Sequence, residues 1–181
     1  RSANKMESLI RNLTALARLG TNPETNIEPQ LARNLMGGVE EFKRASGRQV
    51  NISIAEGTSL VACNEEYYAI ILYNLLTNAH KYSPDDKPIE ISVKDDGAFV
   101  VTSVTDHGRG IPKKERDRIF DWFYRSPSTA QNADGLGIGL TICKRFVEVQ
   151  KGIMILQDST VGRGSTFSFA LPKYEVDSSY F

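Results

Sequence analysis

The chain has 181 residues, with 22 basic side chains balanced by 22 acidic ones and 40% apolar residues. That balance excludes a surface built to track nucleic-acid phosphates, which carries a cationic excess. It also excludes a charged disordered tail, because hydrophobicity is ample and net charge is absent. The length suits one domain plus a piece and buries a proper core without staples. Cys63 and Cys143 lie far apart with no Cys-x-x-Cys, so neither a zinc site nor a disulfide framework is expected. A reducing, cytosolic setting is the simpler expectation. No apolar run approaches the roughly 18 to 20 residues that span a bilayer. The chain starts at Arg1, which points to excision from a longer protein.

Met6, Leu9, Ile10, Leu13, Leu16, Ala17 and Leu19 recur three and four apart, which predicts an amphipathic helix ended by Gly20-Thr21-Asn22-Pro23. Two readings stay open: an edge helix of the domain, or half of an inter-chain bundle. A second helix is predicted from Glu28-Pro29 to about Ala45, with the proline where its missing N–H costs least and Gly47 as a stop. Val50, Ile52 and Ile54 alternate with polar residues as a strand, and Leu60-Val61-Ala62 reads as a short edge strand.

Asn64 to Tyr82 is the strongest helix, ended by Ser83-Pro84. Strands follow at 89–94 and 98–105, joined by the hairpin signal Asp95-Asp96-Gly97. A glycine-bearing loop spans 106–112, and a short helix is expected over Lys113–Phe120. Polar residues 126–134 lead into Gly135-Leu136-Gly137-Ile138-Gly139. A helix over 140–150 and strands at 153–158 and 165–171 complete the pattern, and nothing regular follows Pro172. This order predicts an α+β, two-layer sandwich: a mixed, mostly antiparallel sheet with helices on one face, preceded by the N-terminal helix.

Three features carry chemistry. Asn74 and Asn78, four apart, share a helix face continued by Lys81 and Tyr82. Neutral oxygens there suit a hydrated cation, with Lys81 placed for phosphates and Tyr82 for an aromatic base; alternatively, backbone satisfies the amides. Asp106-His107-Gly108-Arg109-Gly110-Ile111-Pro112 follows a strand and lets backbone approach a ligand closely, though alone it is equally an ordinary turn. Gly135-Leu136-Gly137-Ile138-Gly139-Leu140 opens a helix, whose N–H groups favour an anion. It is neither a Walker A loop nor a dinucleotide fingerprint.

Taken in order, these blocks, with Phe120-x-x-Phe123-Tyr124-Arg125 and Gly162-x-Gly164-Ser165-Thr166-Phe167, resemble the ATP-binding catalytic domain of sensor histidine kinases in the GHKL ATPase superfamily. The likeness spans about residues 29–172 and covers that family's N, G1, F and G2 boxes. It implies a Bergerat-type ATP-binding fold and the ligands ATP and Mg2+. Asn78 would hold Mg2+, assisted by Asn74; Lys81 and Arg125 would contact phosphates; Tyr82 would flank the adenine. Asp106 would accept the adenine amino group, with Gly108, Gly110 and Ile111 shaping that wall. Phe120 to Arg125 and the stretch to Gly135 would form the lid. Gly135, Leu136, Gly137, Gly139 and Leu140 would place N–H groups at the phosphates, and Thr166 would lie on the adenine side.

The resemblance further implies that residues 1–19 are the last part of a dimerisation-bundle helix, 20–28 a linker and 173–181 a flexible tail. The acceptor histidine belongs on a bundle helix absent here, since His80 and His107 sit in other contexts. The implied partners are that bundle of the same parent, a homodimer, and a response regulator, with the parent cytoplasmic or membrane-anchored. GHKL hydrolases carry a glutamate where this chain has Asn74, which favours the kinase. A protein serine kinase of the anti-sigma type and a non-catalytic nucleotide-sensing module are the alternatives weighed. The turn Val149-Gln150-Lys151-Gly152 departs from a more glycine-rich family pattern.

Overall fold

A computed structural model describes Ile10, Thr14, Ala17 and residues 26–127 and 136–175. Ile10, Thr14 and Ala17 are helical and exposed; the rest of the expected bundle helix, most of the linker, residues 128–135 of the expected lid, Gly135 among them, and the end of the tail lie outside the described residues.

Strand β1 (Glu28–Gln30) pairs antiparallel with β3 (Val61–Cys63) as a small two-stranded sheet. This corrects the helix expected from Glu28. Pro29 sits within a three-residue edge strand, where a missing N–H is tolerated. A single 3-10 turn (Asn34–Met36) then leads into helix α1 (Gly37–Ser46), which ends with Gly47 left-handed at φ 68°.

The main sheet has the order β2-β4-β5-β7-β6, built from β2 (Val50–Ile54), β4 (Ile89–Asp96), β5 (Phe99–Asp106), β6 (Ile153–Thr160) and β7 (Gly164–Pro172). Only β2–β4 is parallel, so the sheet is mixed and mostly antiparallel, as expected. Helices α2 (Glu65–Tyr82) and α3 (Gly139–Val149) pack on one face. Tyr67 stacks on Phe146 at 4.6 Å between the two helices, and Tyr68 meets Phe169 edge-on at 5.0 Å. The buried Tyr68 hydroxyl is satisfied by Thr102 Oγ1 at 2.7 Å. These contacts fix how α2 lies across β5 and β7, and hence where its C-terminal half meets the end of β5.

Two further expectations change. The helix expected over 113–120 reduces to a 3-10 turn at Lys113–Glu115. Successive i→i+3 bonds continue it: Arg118 N to Glu115 O, Asp121 N to Arg118 O and Tyr124 N to Asp121 O. The segment is instead held from outside, by Arg116 donating Nε to Ile111 O at 3.1 Å and Nη2 to Ser159 O. Pairing also continues past Pro172. Tyr174 N donates to Leu60 O at 2.8 Å, and Lys173 Nζ lies 2.7 Å from Asp95 Oδ2. Among the described residues no helix is long and apolar enough to cross a membrane.

Candidate functional site

The helix that carries the carboxamides is fixed at its start by Asn64, whose Oδ1 accepts from Tyr67 N at 3.0 Å. Three turns later Asn74 is buried, and its Nδ2 donates to Ile70 O at 2.9 Å. Its Oδ1 faces the start of α3, 3.2 Å from where a Cβ on Gly139 would sit. The first residue of α3 thus abuts Asn74 because it has no side chain. Asn78 is half-buried one turn on. His80 turns away, its ring edge-on to Phe42 at 6.2 Å. At the helix end the Tyr82 ring has two cations within reach, Lys81 Nζ at 5.1 Å and Arg109 Cζ at 5.5 Å from the ring centre.

Asp106 ends β5 on the helix-facing side and is buried. Its Oδ1 accepts from Gly108 N at 2.7 Å. Burial raises its carboxyl above the ordinary value; the backbone N–H groups of Gly108 and Ser165 and the nearby His107 pull the other way without cancelling the rise. Glycine is required around it. A Cβ on Gly108 would run into the Tyr82 carbonyl, one on Gly110 into the Thr160 carbonyl, and one on Gly164 into the carbonyl of Asp106 itself. The loop is further anchored by His107 N to Ser83 Oγ at 3.3 Å and Ile111 N to Ser159 Oγ at 2.8 Å. Ser159 in turn meets Ser165 Oγ at 2.9 Å.

The Thr166 hydroxyl is not brought to this side. Asp106 pairs with Ser165 and Thr105 with Thr166 across β5 and β7. Side chains alternate along a strand, so Ser165 shares the Asp106 face, while the Thr166 Oγ1 meets Thr105 Oγ1 at 2.9 Å on the opposite face.

Phe120 packs edge-on against Phe167 at 6.4 Å, tying the segment expected to start the lid to the core. Phe123 is exposed with φ 59°, and Arg125 is exposed. Gly137, at φ 72°, lies so near residues 123–125 that a Cβ would meet Tyr124 O at 2.6 Å and Arg125 Cγ at 3.2 Å. Thr141 Oγ1 donates to Asp121 O at 3.0 Å. Leu136 is exposed, whereas Leu140 packs half-buried at the core's edge.

The fold therefore gathers Asn74 with Gly139, Tyr82 with Gly108 and Asp106, and Gly137 with Arg125. Arg109, Ser159 and Ser165 were not singled out from the sequence. Arg109 occupies the unspecified position between two loop glycines, so only its charge could have marked it.

Residues 63–175 match the family of histidine kinase-, DNA gyrase B- and HSP90-like ATPases. Similar relatives include the adaptive-response sensory kinase SasA of Prochlorococcus marinus, 34% identical over 85% of this chain and 40% of its own length. The sensor protein kinase PmrB of Pseudomonas aeruginosa is 31% identical over 99% of this chain and 38% of its own. This chain thus spans about two fifths of the length of these curated relatives. Among solved structures, full-length ShkA in complex with AMPPNP superposes with a TM-score of 0.79 at 25% identity, covering 97% of this chain and 37% of that one. The mycobacterial sensor histidine kinase MprB gives 0.69 at 24% identity over 83% of this chain and 99% of its own, a likeness of fold. The chain belongs to the family of histidine kinase-, DNA gyrase B- and HSP90-like ATPases.

Proposed function

We propose that this chain is the ATP-binding and phosphotransfer module of a sensor histidine kinase, donating the γ-phosphoryl group of ATP to a histidine on a separate bundle helix. The observation that carries the choice of transfer over hydrolysis is at position 74. A water-activating carboxylate would have to stand there, and the residue is a buried carboxamide whose Nδ2 is spent on Ile70 O. Asp106 would accept the adenine amino group and Tyr82 would flank the ring. Lys81, Arg125 and the N–H groups at the start of α3 would hold the phosphates.

The donor set fits Mg2+ in one specific way. Among the described residues no three His, Cys, Asp or Glu side chains gather to hold a metal. A neutral oxygen such as that of Asn78, with Asn74 beside it, suits an ion whose charge is met by phosphates and whose remaining positions are waters. When bound, the ion neutralises charge on the transferring group. The chain's own share is to orient the nucleotide and exclude water beneath the lid.

Residues 29–172, extended by the ordered Lys173 and Tyr174, would form this domain, with 1–19 ending a bundle helix, 20–28 a linker and the last residues a tail. The parent would be a homodimer with a cytoplasmic catalytic part and a response regulator as its phosphate recipient. The test mixes this chain with a separate fragment carrying the acceptor helix and γ-labelled ATP. Label on the fragment's histidine is expected; saturable ATP binding with inorganic phosphate release and no labelled protein would sink the kinase reading.

A further inference from the structure

Tyr82 is the residue proposed to flank adenine, and its ring is already in contact with two cations that come from opposite sides of the site's architecture. Lys81 is its neighbour on α2, whereas Arg109 belongs to the loop after β5. That loop has little freedom. Gly108 presses against the Tyr82 carbonyl, the Arg109 carbonyl accepts from Gly162 N at 2.8 Å, and Ser83 Oγ accepts from His107 N. The guanidinium is therefore delivered to the ring by a backbone held on both sides. Lys81 differs: its flexible ammonium has a second employment at the phosphates, and the two tasks compete.

We infer that Arg109 is a positioning residue for the adenine wall, holding the Tyr82 ring against the Asp106 loop when Lys81 turns to the phosphates. This rests on the ATP-site reading above. A cation over an exposed aromatic face contributes about 0.5–1 kcal/mol, which corresponds to roughly a two- to fivefold change in affinity.

The test measures dissociation constants of adenosine, ADP and ATP for the whole chain and for Arg109→Ala, Arg109→Lys, Tyr82→Leu and the Arg109→Ala/Tyr82→Leu double variant. Arg109→Ala is expected to weaken all three ligands by the same two- to fivefold factor. Arg109→Lys should recover part of the loss, and in the Tyr82→Leu background the arginine change should do nothing further. A loss that grows from adenosine to ATP would make Arg109 a phosphate contact and overturn the inference, as would full additivity with Tyr82→Leu. Thermal unfolding of the same set without ligand separates the two readings. Non-additive shifts in midpoint with no saturable binding by the parent chain would uphold the clamp and fell the ATP site; additive shifts would fell the clamp alone.

Discussion

The side chain of Gln150 joins the two helices of the functional layer: its Oε1 accepts from the backbone N of Asn64 at 2.7 Å, and its Nε2 donates to Phe146 O at 2.7 Å. Gln150 is fully buried just past the end of α3, and Asn64 is the N-cap of α2. One amide thus satisfies a part-buried donor at the start of one helix and a buried carbonyl in the last turn of the other. It fixes the far ends of the two helices whose near faces meet at Asn74 and Gly139. Removing it leaves the Asn64 N–H without a partner, at a cost of about 1–3 kcal/mol. Gln150→Leu should lower the urea midpoint accordingly with an unchanged slope; a midpoint at the parent value would show that the junction is held by packing alone.

The next residue makes the opposite prediction. Lys151 is exposed and adopts φ 60° without being glycine, a left-handed conformation that costs an L-residue roughly 1–2 kcal/mol. Lys151→Gly relieves this strain but adds freedom to the unfolded chain. The net expectation is a gain of about 0.5–1 kcal/mol, read as a higher thermal midpoint. Nucleotide affinity should stay constant, since the turn lies at the far end of α3.

Much of this fold is legible in the sequence. The stop at Ser83-Pro84 is a local signal, and the helix ends where it predicts; the hairpin forms too, though its turn tightens to Gly97-Ala98 because Asp95 and Asp96 pair within the strand. What is not legible depends on distant partners. Glu28-Pro29-Gln30 looks like a helix start until Val61–Cys63 offers its edge. Gln150 reads as a polar residue on a helix end until Asn64 N is found beside it. Ser165 and Thr166 are chemically near-equivalent, and only the register against Asp106 decides which hydroxyl faces the site.

Two glycines in the last motif should respond differently to the same change. Gly162 has φ 81° with nothing near its would-be Cβ, whereas Gly164 has φ 114° and a Cβ there would collide with the Asp106 carbonyl. Gly162→Ala bears only backbone strain, about 1–2 kcal/mol. Gly164→Ala must also push β7 away from the end of β5, moving Asp106. We expect adenine nucleotide affinity to fall at least tenfold for Gly164→Ala and to be little changed for Gly162→Ala. Equal affinities in the two variants, measured by titration on folded protein, would show that the Asp106 position does not depend on this contact.

Asp106 itself should trade stability for binding. Its carboxyl is raised above the ordinary 3.8, with burial the main cause, so the folded protein holds this proton more tightly than the unfolded chain does. Below the ordinary value the group is neutral in both states and has no effect. As pH rises through 3.8 toward the folded value, the unfolded chain releases its proton first, stability falls, and the deficit persists at neutral pH. Asp106→Asn removes the titration and can still accept from Gly108 N. The variant without ligand should therefore unfold at a higher temperature than the parent at pH 7, and this advantage should shrink toward zero as pH is lowered past about 4. The same change should weaken adenine nucleotides several-fold more than guanine ones, because the amide presents a donor toward the adenine amino group. A variant less stable than the parent at pH 7 would show that the ionised carboxylate is stabilised in the fold; equal losses for both bases would remove Asp106 from base selection.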